Sequence, residues 1–348
     1  MSQENQVKLK ENQIKLEENK QKIEAFCKQL RLDCFGFIPC RQFDELEIFY
    51  QQRQQQHLQN EFEPKEIEER LSSSHYMEDG KTILSIAFPY NPKEVEDVDN
   101  GFSIYTKRLD YHRVVKKYLE QIISFIETLG GKAAAFVDSN TLPERYIAYL
   151  AGVGFIGKNN MLITKKYGSY VFLGEIIMDL EIPCQEKRRH QELGQYVECG
   201  TCENCLKECP TKSINKNRCN PNICLSYLTQ KKELSMKEIK LLKGNIFGCD
   251  FCQLQCPYNE TAEKSGLEEF ATLVYMEENP AVYASMDNAF FKQKISGTSC
   301  GWRGKNVIKR NAILRMAYEG KEIKHLLGDS PYINGYIEQL LEDKNIKK

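Results

Sequence analysis

The sequence predicts an α+β protein assembled from four segments. Three observations carry that prediction. β-rich runs alternate with helical spacing over residues 35–183, nine of the fourteen cysteines crowd between Cys199 and Cys256, and helical spacing returns beyond residue 263. A chain of 348 residues is long for one core, so several domains are expected: 1–34, 35–183, 184–262 and 263–348.

Over residues 1–34, Lys and Glu alternate around Ile14, Leu16, Ile23, Phe26 and Leu30 without Pro or Gly, which predicts a solvated amphipathic helix. This charged start has no apolar core of a secretory signal, so a cytoplasmic location is expected. No apolar run approaches the ~18 residues of a membrane span. The Gln-rich stretch 51–60 reads as a polar helix or loop. Thr82–Tyr90 is a strand that stops at Asn91 and Pro92. Tyr111–Leu129 carries helical spacing through Val114, Val115, Leu119, Ile122, Ile123 and Ile126. Ala133–Val137 is a short strand between Gly130-Gly131 and Asp138. Residues 144–151 are helical, and Met161–Thr164 and Ser169–Leu180 are strands split by Tyr167-Gly168. Gly152, Gly154 and Gly157 have Gly-x-Gly-x-x-Gly spacing, but they follow a helix, the wrong order for a dinucleotide fold. They read as a turn that lets backbone approach a cofactor.

The cysteine-rich segment carries the strongest chemical signal. Cys199-x2-Cys202-x2-Cys205-x3-Cys209-Pro210 is the bacterial ferredoxin run. Three thiolates on one tight loop cap three corners of a cubane, and the fourth, before the proline, points to a second cubane. Cys249-x2-Cys252-x3-Cys256-Pro257 matches the last three members of another run, whose first member would fall at Ile246. One cluster is therefore assigned Cys199, Cys202, Cys205 and Cys256. The second takes Cys209, Cys249, Cys252 and either Cys219 or Cys224. No His lies between Cys199 and Cys256, which weighs against zinc. The Cys-x3-Cys-x2-Cys spacing of radical enzymes is absent, so the clusters are expected to carry electrons while another group does the bond chemistry. The remaining cysteines read as inert thiols.

Charge is balanced, 48 Lys and Arg against 49 Asp and Glu, which excludes a polybasic binder but not local patches. Such patches occur at Lys187–His190, at Lys212, Lys216 and Arg218, at Lys231-Lys232, and near the C-terminus at Arg303, Lys305, Lys309, Arg310 and Arg315. Lys305 and Lys309 stand four apart, as do Asn306 and Arg310. One helix face could thus offer Lys305, Lys309 and Arg310 to phosphates.

In order along residues 65–320 the sequence resembles the epoxyqueuosine reductase family. The match runs through Lys107–His112, Phe136–Asp138, Gly152–Asn159, Tyr167–Leu173, Cys224–Gln230, Gly248–Gln253, Trp302–Lys305 and Lys309–Leu314. The resemblance implies a cobalamin-binding domain related to nitroreductases, a module of two [4Fe–4S] clusters and a short HEAT-like helical region. It implies reduction of the epoxide of epoxyqueuosine at the tRNA wobble position, the last step of queuosine formation. It places Cys224 as the odd ligand, Asp138 as proton donor and Arg70, Asp138, Leu173, Ser226 and Asp250 against cobalamin. It also puts Pro143, Glu144 and Arg145 at the anticodon. The partners implied are a tRNA with a queuosine-type anticodon and an external low-potential electron donor, with the chain acting as a monomer. The rival reading is a corrinoid iron–sulfur reductase for a small substrate, of the dehalogenase kind.

The residues themselves allow ordinary roles as well. Asp138 closes a strand, where a carboxyl can project into a cleft or merely cap a turn. His112, just before a helical run, is either a cobalt ligand or a packed or solvated histidine.

Overall fold

A computed structural model describes residues 3–91, 99–215 and 220–342, so Cys219, Lys216 and Arg218 lie outside the described residues. The chain divides into two compact units.

The first unit comprises Met1–Asn91, His112–Cys202 and Thr261–Leu267. It holds helices α1 (Gln3–Gln29), α2 (Glu47–Gln55), α3 (Glu68–Leu71), α4 (Tyr111–Thr128) and α5 (Glu144–Leu150). Its strands are β1 (Phe35–Pro39), β2 (Thr82–Pro89), β3 (Ala133–Phe136), β4 (Phe155–Ile156), β5 (Leu162–Ile163) and β6 (Val171–Met178). The sheet runs β1-β2-β6-β3 with every pair antiparallel. Central β2 is buried at every residue, so it reads as a continuous apolar run and not as an alternating one. Strand β1 escaped the sequence reading because Gly36 and Pro39 punctuate it.

The two faces of the sheet are covered by different helices. Ile147, Ala148 and Leu150 of α5 pack with Ile83, Ala87 and Ile177 on one face. The other face meets the stripe of α4, where Val114, Val115, Leu119, Ile122 and Ile126 are buried at helical spacing. Gly174 of β6 lies under that stripe. A Cβ there would sit 2.8 Å from Val115 and 3.0 Å from Leu119, so only glycine admits α4 this closely. Helix α1 docks behind α4, with Phe26 stacked on Phe125 at 4.4 Å.

Two of the glycines after α5 sit where the chain comes close to itself. A Cβ at Gly154 would lie 2.5 Å from the Ile163 carbonyl, and one at Gly157 2.6 Å from the Ile163 side chain. The close approach is to the chain's own β4–β5 hairpin.

The second unit comprises Pro92–Tyr111, Glu203–Glu260 and Glu268–Lys348. It is helical: α6 (Asn204–Glu208), α7 (Leu225–Leu228), α8 (Met236–Leu242), α9 (Phe251–Leu254), α10 (Pro257–Glu260), α11 (Pro280–Ala284), α12 (Asn288–Phe290), α13 (Lys305–Tyr318) and α14 (Pro331–Glu342). Its core gathers Phe102, Leu228, Phe247, Tyr283, Ile308, Ile313 and Ile337. Asn311 of α13 donates from one amide to the carbonyls of Thr229 and Ile246, both at 2.7 Å, and ties the long helix to the cysteine-bearing segment. Among the described residues no helix is long and apolar enough to cross a membrane.

Candidate functional site

Strand β3 is an edge strand of three alanines and a phenylalanine, half-buried throughout. Its pairing with β6 runs from Ala133 opposite Met178 to Phe136 opposite Glu175. Extended by two residues, that register sets Asp138 level with Leu173, which is itself half-buried. Asp138 has φ +52°, left-handed backbone that costs a non-glycine residue about 1 kcal/mol. The turn throws its carboxyl outward, 61% exposed, with Oδ2 3.3 Å from His112 Nε2. Beside it is a cleft of about 240 Å³ lined by His112, Lys116, Ala135, Phe136, Val137, Ser139 and Asn140.

Behind the turn, Glu144 at the start of α5 accepts from the Asp138 N–H at 2.7 Å and from Asn140 Nδ2 at 2.6 Å. Its carboxyl also meets that of Glu175, which is wholly buried on β6 and accepts from the Ser85 hydroxyl at 3.1 Å. Burial, and then each other's negative charge, pushes the Glu175 carboxyl well above the ordinary range. Burial, then Asp138, raises that of Glu144. The sequence reading missed Glu175. A charge in the middle of the run Ser169–Leu180, apart from Asp179 near its end, was the available signal.

The other residues expected at a cofactor are placed as follows. In the first unit, the Arg70 guanidinium lies 3.9 Å over the Tyr50 ring and 3.3 Å from Glu63. In the second, Ser226 stands in the first turn of α7, just after Cys224. Asp250 follows Cys249, and its Oδ2 accepts from the Ile104 N–H at 2.6 Å.

In the second unit, the Cys209, Cys224, Cys249 and Cys252 thiols lie close together. Burial, then Cys224 and Cys209 among its neighbours, pushes Cys249 up to about 12. Burial followed by Cys249 and Cys224 raises Cys252, and burial with Cys209 raises Cys224. Four neighbouring sulfurs, Cys209 buried and the other three half-buried, are the donor set a cluster would deprotonate and hold. Cys205 also perturbs Cys252, and α6 and α9 are joined through Asn204 Nδ2, which donates to the Gln255 carbonyl at 3.2 Å. In the first unit Cys199 and Cys202 share one tight turn. Lys158 Nζ braces it, donating to the carbonyls of Gly200 at 2.8 Å and Cys202 at 2.9 Å. By donor type, all of them thiols, these residues suit iron–sulfur clusters.

The expected phosphate face of α13 is narrower than its spacing suggested. Arg310 is fully buried, donating to the Lys232 carbonyl at 2.6 Å and the Tyr332 hydroxyl at 2.7 Å, so it has no reach to a tRNA. Helical periodicity placed it on a face with Asn306, but packing against α14 turned that side inward. Lys305 and Lys309 remain at the surface edge as neighbours. Burial, then Lys305, lowers the Lys309 ammonium. Arg315, Arg188 and Lys231 are already paired with Glu319, Glu198 and Glu238. At the other expected contact, Glu144 faces inward, Pro143 is half-buried and Arg145 is exposed, donating to the Asn160 carbonyl.

Residues 70–139 match the family described as Epoxyqueuosine reductase QueG, DUF1730, and residues 198–259 match the 4Fe-4S double cluster binding domain. The epoxyqueuosine reductase of Lactococcus garvieae is 33% identical over 296 residues, covering 82% of this chain and 82% of its own. A crystal structure of epoxyqueuosine reductase with a tRNA-Tyr epoxyqueuosine-modified stem loop superposes with a TM-score of 0.81 at 27% identity, over 94% of this chain and 96% of that one. The structure of the Bacillus subtilis epoxyqueuosine reductase with its catalytic aspartate loop swung out of the active site gives 0.79 at 26% identity, over 94% and 95%. With that identity to a curated relative over most of both lengths, this chain belongs to the epoxyqueuosine reductase family.

Proposed function

We propose that this protein reduces the epoxide of epoxyqueuosine at the wobble position of tRNA to the alkene of queuosine. Asp138 is the proton donor, and a bound cobalamin and two [4Fe–4S] clusters supply the reducing power. The observation that carries the reading is the Asp138 turn, which holds a carboxyl outward at the end of an edge strand beside a cleft.

Converting the epoxide to an alkene takes two electrons and two protons, and the oxygen leaves as water. An alkoxide is a poor leaving group, so a proton must reach the oxygen as the C–O bond breaks, and Asp138 can deliver it. His112, in contact with the same carboxyl and partly exposed, can return a proton from solvent. The alanine-rich edge of β3 and the half-buried Leu173 form an apolar shelf that suits the flank of a corrin. Arg70, Asp138 and Leu173 are the first unit's residues for holding it, and Ser226 and Asp250 the second's. When bound, cobalamin supplies a strongly reducing cobalt centre fed by the clusters. One cluster is held by Cys199, Cys202, Cys205 and Cys256, the other by Cys209, Cys224, Cys249 and Cys252.

The tRNA is held by Lys305 and Lys309, with Pro143 and Arg145 nearer the anticodon. The modified base must be splayed out to enter the site. The first unit's sheet between helical layers supports a nitroreductase-like cobalamin domain, and α11, α13 and α14 a short HEAT-like region. An external low-potential donor feeds a monomeric chain. The test is anaerobic single turnover of an epoxyqueuosine-modified stem loop, normalised to bound corrinoid. Conversion to queuosine supports the reading, and a corrinoid-loaded protein that leaves the epoxide intact overturns it.

A further inference from the structure

A carboxyl in the middle of a central strand needs a reason. Glu175 is the one charged side chain of β6, on the same face as Leu173 and Ile177 and completely shut off from water. Its Oε1 takes the Ser85 hydroxyl, and among the described residues no hydroxyl, amide or cation reaches its Oε2. The group that meets it is the Glu144 carboxyl. Two carboxyls can satisfy each other only if one carries a proton between them. Glu144 already accepts from two donors, the Asp138 N–H and Asn140 Nδ2, so the charge belongs there and the proton on Glu175. Both of those donors lie in the turn that presents the catalytic acid.

The far end of that turn is anchored independently. Thr141 N–H donates to the Tyr76 hydroxyl at 2.8 Å, and its own hydroxyl donates to the Glu69 carbonyl at 2.8 Å. Between β3 and Thr141, the hold that the loop takes on α5 is Glu144. In a Bacillus subtilis relative the catalytic aspartate loop is swung out of the active site, so a hold of this kind has something to control.

We propose that Glu144 and Glu175 are a carboxyl pair sharing one proton, and that this pair latches the Asp138 turn against the sheet, making both positioning residues for the acid. The proposal rests on the reading of Asp138 as proton donor. The charged and titratable groups around the pair are Asp138 on the turn, His112 of α4 beyond it, and Arg145 on α5. Loss of the shared proton leaves two adjacent anions, one wholly and one half-buried, that repel, and Glu144 can then no longer keep its alignment on the turn. The latch is therefore closed at low pH and opens as pH rises through the upper titration of the pair.

The experiment compares Glu144→Gln, Glu175→Gln and Asp138→Asn in the full, cofactor-loaded protein. Two quantities are followed from about pH 6 to about pH 9: amide-exchange protection at residues 138–140 and single-turnover rate on the modified stem loop. Wild type should lose protection and rate together on the alkaline side. Glu144→Gln should lower protection at the Asp138 amide and cut turnover by about tenfold, with KM for the stem loop within about twofold. Glu175→Gln cannot surrender a proton, so its alkaline limb should move upward or vanish. Unchanged protection in Glu144→Gln, or a wild-type alkaline limb in Glu175→Gln, overturns the latch, and the second criterion decides alone if Glu144→Gln fails to fold. Near-normal turnover in Asp138→Asn would overturn the acid reading instead, while exchange at residues 138–140 in the other two variants still reports on the latch.

Discussion

His112 Nε2 stands 3.3 Å from Asp138 Oδ2, although the two residues come from opposite ends of a helix–strand unit. Ser139 brings its hydroxyl to 3.5 Å from the same nitrogen. Helix α4 thus begins where β3 ends, because the two run antiparallel through one short connection at Gly130-Gly131. An imidazole touching both the acid and solvent can recharge it between turnovers. His112→Gln should slow steady-state turnover by about tenfold while sparing the first turnover, since a preloaded Asp138 still carries its proton. Burst and steady-state rates on the stem loop check this. An equal loss in both phases would put His112 in the chemical step itself.

Asp138→Asn keeps size and polarity but cannot deliver a proton. General acid catalysis of this kind contributes on the order of a hundred- to ten-thousand-fold. The variant should retain iron, corrinoid and stem-loop affinity while turning over slower by that range. A turn-capping role predicts the opposite pattern: poorer cofactor retention with near-normal turnover per loaded site.

The Glu144–Glu175 pair also makes stability depend on pH. The proton of the pair sits on Glu175, whose carboxyl burial, and then the neighbouring Glu144, pushes well above the ordinary range. A folded-state value above the unfolded one means the neutral form favours folding. That contribution is complete below the unfolded value and is lost as pH rises through the folded one. Glu175→Gln has no proton to lose, so its melting temperature should gain on that of wild type as pH rises above the ordinary carboxyl range and converge toward it near pH ~4.5. A difference in melting temperature that stays constant across this window would mean that the pair does not share a proton.

Cys224 should be indispensable to one cluster. Cys224→Ala should drop anaerobic iron from about eight to about four per chain, whereas Cys219→Ala should leave about eight. Iron and sulfide analysis with EPR of the reduced protein reads both. Loss of iron in the Cys219 variant alone would reassign the ligand.

Lys305 and Arg310 differ in kind despite sharing a helix. Reversing the charge of Lys305 and Lys309 should weaken tRNA binding and flatten its salt dependence by roughly one unit of slope per lost phosphate contact. Arg310→Gln should leave that slope alone and cost about 2–4 kcal/mol of stability, because buried partners at Lys232 and Tyr332 lose their donor. Affinity measured at several salt concentrations, with denaturant melts alongside, separates the two.

Much of this architecture could be read from the chain. The expected strand at Thr82–Tyr90 and the helix at Tyr111–Leu129 appear within one residue as β2 and α4, because a continuous apolar run and a 3.6-residue stripe are strong local signals. The cysteine spacing announced clusters, since a cubane dictates the loop that binds it. What stayed hidden was set by tertiary contact. Strand β1 is drawn into the sheet by β2 despite its glycine and proline, and Arg310 is buried by α14 in spite of its charge. Glu144 looked like a surface residue in a Pro-Glu-Arg turn, and its inward role depends on Glu175, thirty-one positions away.

Glu175 has a second consequence, during assembly of the sheet. It sits beside Gly174, and the two point to opposite faces of β6. A slip of one residue against β2 would turn the carboxyl toward Val115 and Leu119, where no Ser85 or Glu144 waits for it. The same slip would carry the glycine away from the one place where α4 needs it. Either error strands a carboxyl in hydrocarbon or drives a side chain into the helix. The pair of neighbours therefore marks the correct alignment of the strand, and a misfolded sheet is penalised before any substrate is met.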